Sequence, residues 1–582
     1  MKRQSALFLF SLIILVINSS FTLRVQRVEA SGTIYIRADG SVEGTTDIWT
    51  DDNITYTFTD IIYDEIILER NNIVVDGAGY TVQGTGEGTG IRLSDGNNVT
   101  VKNMEIKAFE RGIRLEDSSN NTISAINVTN TEYGIVLYGS SSQNILRHND
   151  ASGNMYNLGI FTASVSGYIQ DIDDSNTVNG KPVYYWINRQ DMTVPLDAGY
   201  VVLVNCTGIT VRDLNLTNNM QGVALSFTTD SIIANNSMTN NFDGVRFDHS
   251  SNSNVISGNN VTANTSYGIR LFYDPSTSGS QPAGPSCNNI ICGNNVTDND
   301  TGIRLDYPSN NSVWANNVAN NSDGIGLYGS SSGNIVSENN ITNSFYGLWF
   351  HSSYGSQIYH NNFIGNTYTV YPGFDLNSWD AGYPSGGNYW SSIYHGKDIY
   401  SGVCQNESGS DGIGDIPYRL DHYPLASMFR SYNVTYFTPP IVPHTCNVTV
   451  ISNSTISDLV APIWIEHPEV IFLKFNATGT EGSTGFCRVS FPTVLMNGTY
   501  HVFVNGTEVE HILLPCSSAD YSYLYFTYVH STTEIVIVPE FPSFLILLLF
   551  MMVMSAAVIV SIRKPTVNRK EDISALLKEI LQ

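Results

Sequence analysis

Nine short segments share one pattern, a Gly followed by an aliphatic residue, a free position, a large apolar residue and a second free position, and the two free positions carry the reactive side chains. The first holds Arg92, Arg114, Arg246, Arg270, Arg304 and Trp349, and the second holds Glu116, Asp248, Phe272, Asp306, Tyr328 and His351, among others. Guanidinium forks, carboxylates and ring faces together bind sugars, through bidentate hydrogen bonds and stacking. On this reading Arg246, Arg270, Arg304, Phe272, Tyr328 and Trp349 form a ligand-binding stripe. The plain alternative is a solvated ladder in which acids keep stacked arginines from repelling one another. For catalysis the stripe offers Asp248, Asp306 and Glu116. Asp248 and Asp306 are expected two coils apart, about 10 Å, beyond a retaining pair of carboxylates and at the edge of the inverting range.

What must position these residues is a repeat. The pattern starts at Gly90, Gly112, Gly134, Gly222, Gly244, Gly268, Gly302, Gly324 and Gly347, with most steps of 22 to 24 residues and longer ones of 88 and 34. A sustained period of this size marks a solenoid. Each unit adds a second alternating stretch, as in Asn334-Ile-Val-Ser-Glu-Asn-Asn-Ile341, and a Ser/Asn/Gly turn, so the units are short half-buried strands coiled by turns. Stacked in parallel at about 4.8 Å per coil, they predict an all-β fold, a right-handed parallel β-helix of 11 or 12 coils. Asn295, Asn317, Asn340 and Asn362 would stack as an amide ladder bracing one turn.

Composition agrees with this class. The formal charge is −25 with only 14% charged residues, so polarity comes from neutral hydrogen-bonding side chains. No basic stripe exists to neutralise phosphates, which excludes nucleic acid as a partner. Residues that favour turns over helix interiors exclude a helical bundle.

The ends carry targeting signals. Lys2 and Arg3 precede an apolar run and a Val28-Glu29-Ala30 cleavage pattern, a secretory signal over 1–30. Phe541 to Ile562 contains no charge and is long enough, at about 33 Å as a helix, to cross a bilayer. Arg563 and Lys564 follow, placing the tail 563–582 inside and the bulk of the chain outside. Roughly two dozen Asn-x-Ser/Thr triplets suit a glycosylated exterior. The seven cysteines form no Cys-x-x-Cys pair, which removes zinc-ribbon and thioredoxin-like readings.

The repeat, the stretches Ile172-Asp-Asp-Ser-Asn-Thr-Val-Asn-Gly-Lys-Pro-Val-Tyr-Tyr-Trp186 and Ala198-Gly-Tyr-Val-Val-Leu-Val-Asn-Cys206, and the segments Gly387-Asn-Tyr-Trp390, Asp411-Gly-Ile-Gly-Asp-Ile-Pro-Tyr418 and Tyr423-Pro-Leu425 together resemble the NosD-type periplasmic copper-binding family. That group lies within the carbohydrate-binding and sugar-hydrolase (CASH) β-helix repeats, and the likeness to its archaeal surface branch covers roughly residues 60 to 430. Val538-Pro-Glu-Phe-Pro542 before the apolar span resembles the archaeal Pro-Glu-Phe sorting signal, although this chain continues past its basic pair. The family name implies copper, for which His249 and His351 are the candidate ligands on or beside the stripe, without any His-x-His or Met-rich cluster. Asp411 and Asp415, in a Gly-rich loop, are the candidates for calcium; the loop lacks the ligand spacing of an EF-hand and reads also as a turn locking the end of the solenoid. No cofactor is required by the reading.

The expected organisation is a signal peptide at 1–30, an N-terminal cap at 31–59, the β-helix at 60–375 with an insertion near 160–205, and a C-terminal cap at 376–431. A β-sandwich-like module at 432–538, where Asn thins out and Val and aromatic residues rise, then precedes the transmembrane helix at 541–562 and the cytoplasmic tail. The functional expectation is a membrane-anchored cell-surface protein binding glycan or polysaccharide. A polysaccharide lyase or hydrolase on the same stripe, a structural envelope spacer and a copper-binding protein are the alternatives. Protease applied to intact cells should remove the solenoid and spare an epitope placed after Gln582; loss of that epitope would contradict the topology or reveal cleavage near Glu540.

Overall fold

A computed structural model describes residues 32–162, 165–273, 275, 284–372, 377–391, 393–438, 442–464, 467–531 and 533–540. The expected signal peptide, membrane span and tail lie outside the described residues. Among the described residues no helix is long and apolar enough to cross a membrane. The sole helical element there is a 3-10 turn, Ser166–Tyr168. The chain divides into two compact units, 1–309 and 310–582.

In the first unit, strands Ile34–Ile36, Ile66–Leu68, Thr89–Ser94, Arg111–Glu116, Tyr133–Tyr138 and Tyr156–Phe161 pair in parallel and in register. Their alternation buries one side: Ile91, Leu93, Ile113 and Leu115 are fully enclosed. The stack then restarts. Thr177–Val178 turns back antiparallel onto Lys181–Ile187, which opens a new parallel series through Tyr200–Val204, Gln221–Ser226, Asp243–Asp248, Tyr267–Phe272 and Thr301–Asp306. Two further walls close each later coil, one of them built from Asn215–Thr217, Ser237–Thr239, Asn260–Thr262 and Asn295–Thr297.

The second unit repeats the plan with Asp323–Tyr328, Tyr346–His351 and Tyr368–Tyr371 in parallel. Two five-stranded antiparallel sheets follow, one holding Met428–Thr438, Val442–Ser452, Thr484–Pro492, Tyr521–Val529 and His511–Leu513. The other runs Thr455–Val460, Leu473–Thr478, Thr533–Pro539, Tyr500–Val504 and Thr507–Val509. Val450, Val489 and Leu524 from the first and Phe475, Val502 and Ile537 from the second share one apolar core.

The right-handed parallel solenoid has about 14 turns, more than the 11 or 12 read from the repeat. The difference comes from strands such as Ile34–Ile36, Lys181–Ile187 and Tyr200–Val204, which pair in register with the others but lack the Gly-aliphatic pattern. That Gly has a steric cause. A Cβ on Gly222, Gly244 or Gly268 would lie 2.5–2.6 Å from the carbonyl oxygen of the equivalent Gly one coil on.

The expected row does stack, Asn295 Nδ2 donating to Asn260 Oδ1 at 2.8 Å and Asn362 Nδ2 to Asn340 Oδ1 at 2.7 Å, and a second, buried amide ladder runs one residue earlier. Asn295, Asn317 and Asn340 begin strands on the outer face, whereas Asn294, Asn316, Asn339 and Asn361 are buried. In the first unit Asn236 donates through its backbone N–H and its Nδ2 to Asn259 Oδ1 (2.9 and 3.0 Å), and Asn259 does the same to Asn294 Oδ1 (both 2.9 Å). Each Nδ2 also reaches back to a carbonyl on the other side, Val211 for Asn236 and Ile233 for Asn259. The residue before each ladder Asn is left-handed (Asn235, Gly258 and Gly293), which turns the next side chain into the coil. Asn259→Ala removes donor and acceptor together and leaves buried backbone groups unpaired, so it should cost at least about 1–3 kcal/mol in denaturant unfolding; an unchanged midpoint would show that the ladder is not structural.

Candidate functional site

The stripe is not one uniform surface. In the first unit the segment after Phe161 folds over it: Tyr168 is fully buried and its hydroxyl donates to Asp248 Oδ2, while its carbonyl accepts from Tyr185 at 2.6 Å. Arg246 and Asp248 are therefore enclosed, 3% and 1% exposed, rather than facing solvent. Arg246 Nε donates to Asp248 at 2.9 Å and its Nη1 reaches Asp243 at 3.5 Å. Burial alone would lower the pKa of Arg246, but Asp248, Tyr168 and Asp243 hold it above its ordinary value. Burial pushes the Asp243 carboxyl and the Tyr168 phenol upward. This charge set is internal structure.

Further along, Arg270 and Arg304 both donate to Asp306, at 2.9 and 2.8 Å. The Arg270 guanidinium lies 4.1 Å from the centre of the Phe272 ring and 4.3 Å from that of Tyr267. Arg304 lies 5.4 Å from the Tyr267 ring. Glu116 pairs with Arg114 at 2.9 Å and Arg92 at 3.9 Å. All three carboxylates offered for catalysis, Asp248, Asp306 and Glu116, are thus bound to guanidinium groups.

The second unit carries the open part. Trp349 and Tyr328, with their neighbours, make a continuous ring surface. Tyr346 lies 5.1 Å from Trp349 and 4.8 Å from Tyr371, and stacks on Tyr368 at 5.3 Å. Tyr328 lies 5.7 Å from Trp349, and Phe345 packs edge-on against Tyr346. The register explains the grouping, since Tyr346 pairs with Tyr368, and Trp349 with Tyr371 on one side and Gly326 on the other. Gly326 makes room: a Cβ there would come within 2.6 Å of the Tyr328 ring. Tyr368, Tyr371 and Phe345 remain 50%, 41% and 49% exposed, which is unusual for so many adjacent rings.

Sequence reasoning found Trp349 and Tyr328 but missed Tyr346, Tyr368 and Tyr371. Tyr346 has the parity of the inward Leu348 and Phe350, so alternation places it inside. It lies at the start of its strand, where the chain leaves a turn, and is half-exposed. A Tyr-Gly step at that position, as also at Tyr267-Gly268 and Tyr133-Gly134, was the available signal.

The candidate metal ligands do not converge. His249 stacks on Phe227 (5.7 Å) and meets Tyr168 edge-on, and His351 stacks on Tyr328 (6.1 Å). Among the described residues no group of three or more His, Cys, Asp or Glu side chains is placed to hold a metal ion. Copper needs several such donors together, so these residues do not fit it. Asp411 and Asp415 serve the chain instead. Asp411 accepts from Ile413 N and Gln405 Nε2, and Asp415 from the backbone of Ile399 and Tyr400.

The same closing segment contains two carboxyls raised to about 7, Asp398 and Asp421, mainly because burial disfavours their charged forms. The N–H groups of Asp411 and Gly412 oppose this at Asp398, and those of Asn388 and Trp390 at Asp421. An acid whose pKa is higher folded than unfolded binds its proton more tightly in the native state. The stability it contributes is full below the unfolded value, near 4, and declines as pH rises towards 7. Thermal unfolding should therefore show a lower midpoint at pH 8 than at pH 5, and Asp398→Asn should reduce that difference; a midpoint that rises from pH 5 to pH 8 in both proteins would contradict the assignment.

The family described as periplasmic copper-binding protein (NosD) matches residues 171–278 and 283–396, and the right handed beta helix region matches 14–181. No curated protein matches the chain. Among solved structures, the mannuronan C-5 epimerase A-module of Azotobacter vinelandii is 14% identical, with 56% of this chain and 86% of that one covered and a TM-score of 0.29. A periplasmic alginate epimerase is 15% identical over 56% and 76%, TM-score 0.28. The DFA-IIIase of Arthrobacter chlorophenolicus is 14% identical over 47% and 64%, TM-score 0.22.

Proposed function

We propose that this chain is a cell-surface protein, held to the membrane by residues 541–562, whose solenoid binds glycans on the ring surface formed by Tyr328, Tyr346, Trp349, Tyr368 and Tyr371. One observation carries the reading: these rings stand side by side on consecutive coils, Tyr368 and Tyr371 exposed and Tyr328, Tyr346 and Trp349 half-buried, although the same fold has an apolar interior in which to bury them. Sugar rings present C–H faces that stack on such a surface, with tyrosine hydroxyls at its rim to meet their hydroxyls. The periplasmic description of the matching family supports an extracytoplasmic location. The Pro-Glu-Phe segment supports an archaeal envelope as its setting.

Binding is favoured over turnover by the state of the carboxylates. General acid or base catalysis on a sugar needs a group that exchanges its proton beside the substrate. Asp248, Asp306 and Glu116 are each held by arginine, two of them in the interior. Arg270 and Arg304, with Phe272 and Tyr267, are one part of the stripe in the first unit that is only partly buried and so open to an acidic sugar.

The test is a glycan array followed by titration of each hit. Trp349→Ala should weaken binding by about 1–3 kcal/mol while leaving the unfolding midpoint nearly unchanged, as for loss of a central aromatic anchor. Tyr371→Ala should have the same sign and a smaller effect. Unchanged affinity for every hit in both variants would sink the platform and leave the envelope-spacer reading.

A further inference from the structure

The restart of the solenoid in the first unit leaves an open groove. Thr177–Val178 pairs with Lys181–Ile187 only at residues 181 and 182, so the rest of that strand has one laddered neighbour, Tyr200–Val204. Where the missing coil would lie there is a cleft of about 370 Å³ between residues 170–174 and 183–189. Its size falls within the range of small-ligand clefts. Ile172, Val183 and Tyr185 contribute buried apolar surface to it.

The lining has three features. Tyr184 and Trp186, two residues apart and so on one side of the strand, both line the groove half-buried, their rings edge-to-face with centroids 6.1 Å apart. The Tyr184 hydroxyl is tied to Asp197 at 2.9 Å, which fixes that ring. Next, Arg147 clamps Asp171 (2.6 Å) and Asp173 (3.0 Å), taking both carboxylates out of play. Among the described residues that leaves Asp174 and Arg189 lining the groove with no ion-pair partner, and Trp186 Nε1 with no hydrogen-bond acceptor.

We infer that this groove is a second saccharide site, separate from the exposed ring surface, and that it takes a neutral sugar. A ring face with an indole N–H at its edge suits a pyranose. One free carboxylate and one free guanidinium sum to no charge, and each hydrogen-bonds a vicinal pair of hydroxyls in bidentate fashion. A uronate would gain Arg189 but meet Asp174 and the clamped acids, so the groove discriminates against it. The alternative role for Tyr184 and Trp186 is to shield the end of the restarted stack from water, which requires nothing of Asp174 or Arg189.

The experiment uses the full chain and four probes, the β-1,4-glucan, β-1,4-mannan and chitin hexamers and a hexauronate, read by saturation-transfer NMR and titration. In a Trp349→Ala, Tyr371→Ala background, which weakens the first site at two of its rings, a neutral hexamer should still bind. Trp186→Ala should then weaken it tenfold or more, Trp186→Tyr should retain most of it, and Arg189→Ala and Asp174→Asn should each weaken it several-fold. The last two lie at the surface and leave the packing intact, so they decide the matter if Trp186→Ala fails to fold. The inference is overturned if no neutral hexamer binds in that background, if Arg189→Ala and Asp174→Asn both leave affinity unchanged, or if the hexauronate alone binds. None of these outcomes touches the first site, whose failure is read from Trp349→Ala alone.

Discussion

Every coil of this solenoid must turn two or three times with its backbone amides buried against the neighbouring coil, and a buried amide without a partner costs about as much as several apolar contacts gain. The asparagine ladder meets that constraint. One side chain such as Asn259 accepts from the backbone and side chain of Asn236, donates to Asn294 and returns a second hydrogen to Ile233. Because the acceptor in one coil is the donor to the next, the ladder fixes the register between coils as well as the turn. The left-handed residue before each ladder position follows from the same need, since it directs the amide inward.

With register set this way, outward positions are free to vary, and their behaviour depends on what lies over them. Arg246 and Arg270 occupy equivalent places on adjacent strands, paired residue to residue. Arg246 lies in the interior because the chain around Tyr168 crosses it, whereas Arg270 keeps its guanidinium against partly exposed rings. Asp248, paired with the buried Arg246, also accepts from Tyr168 and so holds the crossing segment in place, at the expense of a surface that would otherwise meet ligands. Chemistry in a repeat of this kind therefore collects where regularity is interrupted or ends.

The end of the solenoid shows a second consequence. The last coils present Trp390 and Trp379 to the core, and the closing segment satisfies Trp390 Nε1 and Asn388 N with Asp421. Asn362, in the outer amide row one residue after the buried ladder, exchanges two hydrogen bonds with the backbone of Phe429 and so ties the last coils to the first antiparallel strand. The oxygen-rich loop around Asp411 is used in the same manner, as a set of acceptors for backbone amides.

The period of 22, the inward Ile and Leu pairs and the identity of the turn residues determined the all-β parallel solenoid from the sequence alone, because each is a local property repeated often enough to be read. The charged and aromatic residues of the stripe were legible as a list by the same route. The sequence did not carry which of them face solvent. Burial of Arg246 and Asp248 depends on Tyr168, about 80 residues earlier, and the grouping of Tyr346, Tyr368 and Tyr371 with Trp349 depends on register across three coils and on a strand start that breaks alternation. The exact ladder residue was also decided in three dimensions. Asn294 and Asn295 are alike as residues, and the left-handed Gly293 before them determines which amide turns into the coil and which stacks on the half-exposed outer face against Asn260.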